Sequence, residues 1–168
     1  MALNIDLTKS SVVINGTELT VPFGMDKVKA LLGDARQEDE KHYFYDESGV
    51  MFTVRNGEVI ELAIKMKYFT DPDFVDPTKA FDGELTICGE DWFSFMLGGE
   101  NKTLLSERAC GDFMVLSFTD MNPENWHNTD RDAVTSVILQ LYSNDKLEEF
   151  IFEDIGKDGL EELSKALF

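Results

Sequence analysis

Two short runs of β-prone residues, Ser11-Val-Val-Ile14 and Thr17-Glu-Leu-Thr-Val21, flank Asn15-Gly16. An Asn-Gly pair in that setting predicts a hairpin with a type I′ turn, because both turn residues need positive φ. Pro22 stops the second strand. Met25, Val28, Leu31 and Leu32 then recur at helical spacing, which predicts a short helix ended by Gly33. Residues 34–41 are polar and read as a loop. His42–Tyr45 and Val50–Arg55 read as strands joined by the turn Asp46-Glu-Ser-Gly49. Asn56-Gly57 marks a second hairpin. In the long strand that follows, Ile60, Leu62, Ile64 and Met66 alternate with Val59, Glu61, Ala63 and Lys65. Such alternation predicts one buried and one partly wet face, as in an antiparallel sheet backed on one side.

The second half of the chain is less regular. Asp71-Pro-Asp-Phe-Val-Asp-Pro77 is broken by two prolines. Glu84–Cys88 and Phe113–Phe118 read as strands, and residues 92–105 are ambiguous, with a helix ending near Leu105. Ala133–Tyr142 is β-branched enough to favour strand, with helix left open. Lys146–Ile155 and Leu160–Leu167 read as helices, the latter with Leu160, Leu163 and Leu167 on one face.

A self-similarity runs through these patterns. Ile14 and Ile87, Gly16 and Gly89, Glu18 and Asp91, and Leu31-Leu32 and Leu104-Leu105 all share one constant offset in numbering. Val59 and Val134, and Leu62 and Val137, share an offset larger by two, as a two-residue insertion would produce. Either short apolar matches coincide, or the chain carries a duplication spanning about 10–66 and 83–142. The expected fold is α+β: a single domain over 1–168, with antiparallel sheets and short helices, arranged under duplication as two ββα-ββ halves.

Composition narrows the function classes. Of 168 residues, 43% are hydrophobic and 11% aromatic, enough for a packed interior. No apolar run approaches the ~20 residues a transmembrane helix needs. The opening residues lack the basic start and apolar stretch of a secretory signal, which predicts a cytoplasmic protein. Cys88 and Cys110 are not spaced as CxxC and are expected to be two small buried hydrophobes rather than a disulfide. Asp and Glu number 33 against 15 Lys and Arg, a formal charge of −18. Such a field repels phosphates and anionic lipid, excluding nucleic acid and membrane as expected partners, and attracts a basic protein. Acidity also serves solubility alone.

Catalytic motifs are not apparent. There is no Gly-x-Gly loop and no Gly-x-Ser-x-Gly elbow, and neither His42 nor His127 lies in a zinc-binding spacing. Both histidines are expected to be ordinary strand-edge and loop residues. Asp71, Asp73 and Asp76 fail as a calcium loop, since Val75 and Asp76 occupy the positions that need an oxygen ligand and a glycine. The expectation is no enzyme, no metal and no cofactor. Asn15-Gly-Thr17 and Asn101-Lys-Thr103 fit the glycosylation pattern, which is idle without secretion.

A binding signature remains. Acids interleave with aromatics in Tyr68, Phe69, Asp71, Asp73, Phe74 and Asp76, continuing to Asp82 and Glu84. A second cluster is Glu90, Asp91 and Trp92, and a third is Glu124 and Trp126. Aromatic anchors supply contact area, and carboxylates pair with a partner's Lys or Arg, so these residues are the expected partner-binding set. The alternative is aromatics in the core with acids as a wet rim.

Leu7-Thr-Lys-Ser-Ser-Val-Val-Ile-Asn-Gly-Thr-Glu-Leu19 resembles the start of immunity proteins from bacterial contact-dependent growth inhibition systems. Val28-Lys-Ala-Leu-Leu-Gly33, Tyr45-Asp-Glu-Ser-Gly-Val50 and Asn56-Gly-Glu-Val-Ile60 are similar to the same group, and the likeness runs from the start of the chain to the neighbourhood of Lys65. The resemblance implies a cytoplasmic protein that neutralises a DNase toxin by stoichiometric binding, with a toxin β-hairpin extending its sheet. It implies no particular interface residues. Two other readings compete: an acidic nucleic-acid mimic that inhibits a DNA-binding enzyme, and an enzyme with His42 or His127 beside Cys88 or Cys110 in a pocket.

Overall fold

A computed structural model describes residues 3–66, 77–100, 102–119 and 131–142. The Asn15-Gly16 hairpin joins β2 (Ser11–Ile14) to β3 (Thr17–Thr20), and both turn residues take positive φ, 50° and 85°. β1 (Asn4–Leu7) pairs antiparallel with β2 and parallel with β8 (Glu84–Ile87). With β9 (Glu90–Asp91) these strands form a five-stranded mixed sheet in the order β3-β2-β1-β8-β9. The parallel pair has no local signature, since its two strands lie far apart along the chain.

The second sheet has seven strands and is antiparallel throughout. Its members are β4 (Arg36–Gln37), β5 (His42–Tyr45), β6 (Val50–Arg55), β7 (Glu58–Lys65), β12 (Glu107–Cys110), β13 (Phe113–Thr119) and β14 (Val134–Gln140). Their order is β12-β13-β14-β7-β6-β5-β4. The segment 34–41, expected as loop, therefore contributes an edge strand: Arg36 and Gln37 pair with Phe44 and Tyr43.

Helix α1 (Met25–Leu32) forms where the spacing predicts it, burying Met25 and Val28. Leu31, expected on the same face, is 37% exposed. Gly33 ends the helix at φ 84°, its N–H donating to Lys29 O at 2.8 Å. The start has no side-chain cap; instead Met25 N–H reaches Gly57 O at 3.1 Å, so the second hairpin turn holds the helix. The described residues of 92–105 hold a five-residue helix, α2 (Trp92–Met96), and a two-stranded hairpin of β10 (Leu97–Gly98) and β11 (Thr103–Leu104). The helix expected to end near Leu105 thus stops at Met96, because Leu97-Gly98-Gly99 turns the chain at Gly99, φ 77°.

The alternation expected in β7 is offset. Val59, Leu62 and Ile64 are buried, and Ile60 is not. Thr53 pairs with Glu61 but Val54 pairs with Val59, so Ile60 is the extra residue of a β-bulge that switches faces. Thr135 is the matching extra residue opposite Phe118 and Thr119, and it stands to Ile60 in the same numbering offset as Val134 to Val59. The two strands carrying these bulges, β7 and β14, pair with each other. Leu141 N–H donates to Ile60 O at 2.9 Å and Met66 N–H to Thr135 O at 2.8 Å.

Ile5, Leu7, Ile14, Leu85 and Ile87 of the first sheet join Phe52, Leu62, Ile64, Val115, Val137 and Leu139 of the second in one hydrophobic core. Cys88 and Cys110 are joined in a disulfide, with Cα atoms 6.0 Å apart. This corrects the expectation of two separate thiols. The turn after β8 and the end of β12, distant in sequence, are brought together by the packing of the sheets, which spacing alone does not report. No described helix is long and apolar enough to cross a membrane.

Candidate functional site

Of the expected partner-binding residues, Tyr68, Phe69, Asp71, Asp73, Phe74, Asp76, Glu124 and Trp126 lie outside the described residues, as do His127 and both late helices. The rest gather around the β8–β9 hairpin. Asp82, Glu84, Glu90 and Asp91 are all exposed. Trp92 is a correction: it is only 4% exposed and belongs to the core, so it is no surface anchor. Helix α2 is short and turns Trp92, Phe95 and Met96 inward together.

Asp91 has structural work at this position. It caps α2, accepting from Phe93 N–H at 3.2 Å and Ser94 N–H at 3.5 Å. It also receives Arg131, whose two terminal nitrogens lie 2.8 and 3.2 Å from its carboxylate oxygens. The same guanidinium stands 4.9 Å from the Trp92 ring centre. Asp82, Glu84 and Glu90 have no ion-pair partner among the described residues and present open negative charge.

Sequence reasoning missed a second acidic region. A cavity of about 390 Å³ opens between the end of α1 and the β5–β6 turn, lined by Leu3, Leu32, Asp34, Arg36, Phe44, Tyr45, Asp46, Glu47 and Ser48. Arg36 crosses one wall and stacks over the Phe44 ring at 4.3 Å. Its Nε and Nη2 donate to Asp46 at 2.6 and 3.0 Å, and its Nη1 to Glu38 at 2.5 Å. The hydrogen bond to Asp46 chiefly raises the already high Arg36 pKa. Thr78 Oγ1 donates to Asp46 Oδ1 at 2.8 Å, and Lys79 pairs with Glu47 at 2.5 Å. The Tyr45 hydroxyl donates to Gly33 O at 2.8 Å. Burial, and next the charge of Asp34, push that phenol up to about 12. Asp34 is exposed and has no ion-pair partner among the described residues. The local signal was slight: Asp34 and Arg36 sit in a polar segment, and their meeting with Asp46 depends on β4 pairing with β5.

Among the described residues, His42 and the two cysteines are arranged otherwise than a Cys-His pair requires. His42 lies in β5 with Nδ1 2.7 Å from Asp39 Oδ2, and this hydrogen bond leads the effects that lower the Asp39 pKa. Both cysteines are joined to each other in the disulfide. No group of three or more His, Cys, Asp or Glu side chains among the described residues is placed to hold a metal ion.

No curated protein and no solved structure matches this chain. Residues 4–102, from the first strand through the turn that follows β10, match a family described as Domain of unknown function (DUF7738). That match spans more than half of the 168 residues, and the chain belongs to this family.

Proposed function

We propose that this chain is a stoichiometric binding protein for a basic protein partner, and specifically an immunity protein that neutralises a cognate toxin, a nuclease by preference. The observation that carries the reading is the charge: −18 over 168 residues, with carboxylates such as Asp82, Glu84, Glu90 and Asp34 standing open at the surface. Enzymes that handle nucleic acid need basic surfaces, and an acidic protein is drawn to such a surface at long range. The N-terminal resemblance to growth-inhibition immunity proteins supports the same reading. So does the strand-rich architecture, because a sheet edge can accept a partner strand. Inhibition by covering the toxin needs neither turnover nor a cofactor.

Cytoplasmic action belongs to this reading, since a toxin that attacks nucleic acid must be met there. The disulfide adds a condition. In a reducing compartment Cys88 and Cys110 would be held as thiols, so on this reading the protein must bind its partner with the bridge open.

The test is a rescue. The C-terminal region of the neighbouring upstream reading frame is expressed under tight control with and without this protein. Restored growth, together with an isolated one-to-one complex, supports immunity. A toxic neighbour that is neither rescued nor bound removes it, and capture of several unrelated DNA-binding proteins points to a nucleic-acid mimic instead.

A further inference from the structure

We infer that the cavity between α1 and the β5–β6 turn is a receptor for one cationic side chain, a lysine or arginine of the basic partner. This rests on the proposed function for the identity of the partner, and it names where on the chain that partner is gripped.

The lining includes apolar side chains: Leu3, Leu32, Phe44 and the buried Tyr45 ring. The same lining carries three acids, Asp34, Asp46 and Glu47. Of these three, Asp46 is engaged by Arg36 and Thr78, and Glu47 by Lys79. Asp34 alone has no cation paired to it among the described residues. Lysine and arginine have the matching build: an apolar stem of three or four methylenes and a charged head. The stem would lie over Leu32, Phe44 and Tyr45 while the head meets Asp34. An anion would face three carboxylates, and the two cations beside them are already engaged, Arg36 by Asp46 and Glu38 and Lys79 by Glu47. A neutral apolar guest would leave Asp34 without compensation for the water it loses.

Arg36 belongs to β4, one of the two edge strands of the seven-stranded sheet among the described residues. A partner strand added along β4 would run past the cavity mouth, so one of its alternate side chains could enter. The cavity thereby turns a general sheet-edge contact into one that selects a basic residue at one position.

The experiment is an NMR titration of the full chain with N-acetyl-arginine amide, with the uncharged isostere N-acetyl-citrulline amide as control. The expected result is saturable shifts confined to Leu32, Phe44, Tyr45 and their neighbours with the arginine probe only. Asp34→Asn weakens that binding by about fivefold or more, while Glu107→Gln on the β12 edge leaves it unchanged. Shifts spread over exposed carboxylates, equal response to citrulline, or binding indifferent to Asp34→Asn would each overturn the receptor. The rescue test separates this failure from failure of the broader reading. Full rescue and complex formation by Asp34→Lys would discard the cavity and keep immunity, whereas localised arginine binding without rescue would do the reverse.

Discussion

Ala63 and Ile138 face each other at the centre of the β7–β14 ladder, and they occupy equivalent positions in the two halves of the chain. The numbering offset between them is the one that relates Ile60 to Thr135 and Met66 to Leu141, so equivalent backbone groups exchange hydrogen bonds across one local two-fold axis. Six strands of the seven-stranded sheet therefore form two antiparallel meanders, β5-β6-β7 and β12-β13-β14, joined at matching inner strands, with β4 added beside β5. Both inner strands send buried residues into the shared core, Leu62 and Ile64 from one and Val137 and Leu139 from the other.

This seam makes the two halves one cooperative unit. Leu62→Ala should cost about 2–5 kcal/mol, because its side chain is fully buried at the junction. In a denaturant titration the far-ultraviolet circular dichroism and the tryptophan fluorescence should shift together to the same lower midpoint. Separate midpoints would show that the halves unfold independently.

The disulfide should contribute to stability through the 22-residue separation it closes, by about 3 kcal/mol on the chain-entropy account. Unfolding with and without reductant, and of the Cys88→Ala/Cys110→Ala double variant, measures it. Coincident curves for oxidised and reduced protein would mean that sheet packing alone fixes these two turns.

Two glycines should respond to different degrees. A Cβ on Gly83 would come within 1.7 Å of Leu3 O, a backbone atom of the β1 segment that cannot retreat cheaply. Gly83→Ala should therefore destabilise by about 3 kcal/mol or more, or prevent folding. At Gly89 the space is open and only φ +82° resists a side chain, so Gly89→Ala should cost about 1–2 kcal/mol. Thermal melts of both variants decide, and an equal effect would contradict the close approach at Gly83.

Glu61 gives a pH-dependent signature. It lies on β7 between Thr53 and Gln140, and burial raises its pKa above the ordinary 4.5. A raised carboxyl pKa means that the folded protein favours the protonated form. Its contribution to stability is full below the unfolded pKa and is lost as pH rises through the folded value. Glu61→Gln should thus be more stable than the natural chain at neutral pH, with the gap closing under acid conditions. A gap that is constant with pH would assign the effect to packing rather than to charge.

Association with a basic partner should be steered by the −18 charge. Between ~0.01 and ~1 M salt the screening length falls from about 30 to about 3 Å, and the association rate should fall at least tenfold while dissociation changes little. A rate flat across that range would leave the acidity as a solubility device.

What the sequence determined by itself were the features written in near neighbours. The Asn15-Gly16 and Asn56-Gly57 turns, helix α1 with its Gly33 stop, and most strands follow from positive-φ requirements and apolar period within a few residues. Of the constant-offset pairs, Val59 with Val134 and Leu62 with Val137 lie at like positions of the two meanders, whereas Leu31-Leu32 ends helix α1 and Leu104-Leu105 lies at the end of strand β11. Only tertiary structure decided the rest. The Cys88–Cys110 bridge, the parallel β1–β8 pair and the Arg36–Asp46 contact join segments whose approach depends on how the sheets pack. Trp92 looked like a surface anchor among acids, but whether an aromatic faces partner or core depends on the length of its helix and on what lies beneath it. The bulge at Ile60 shifted burial from one parity to the other, since one extra residue in a strand reverses every side chain beyond it.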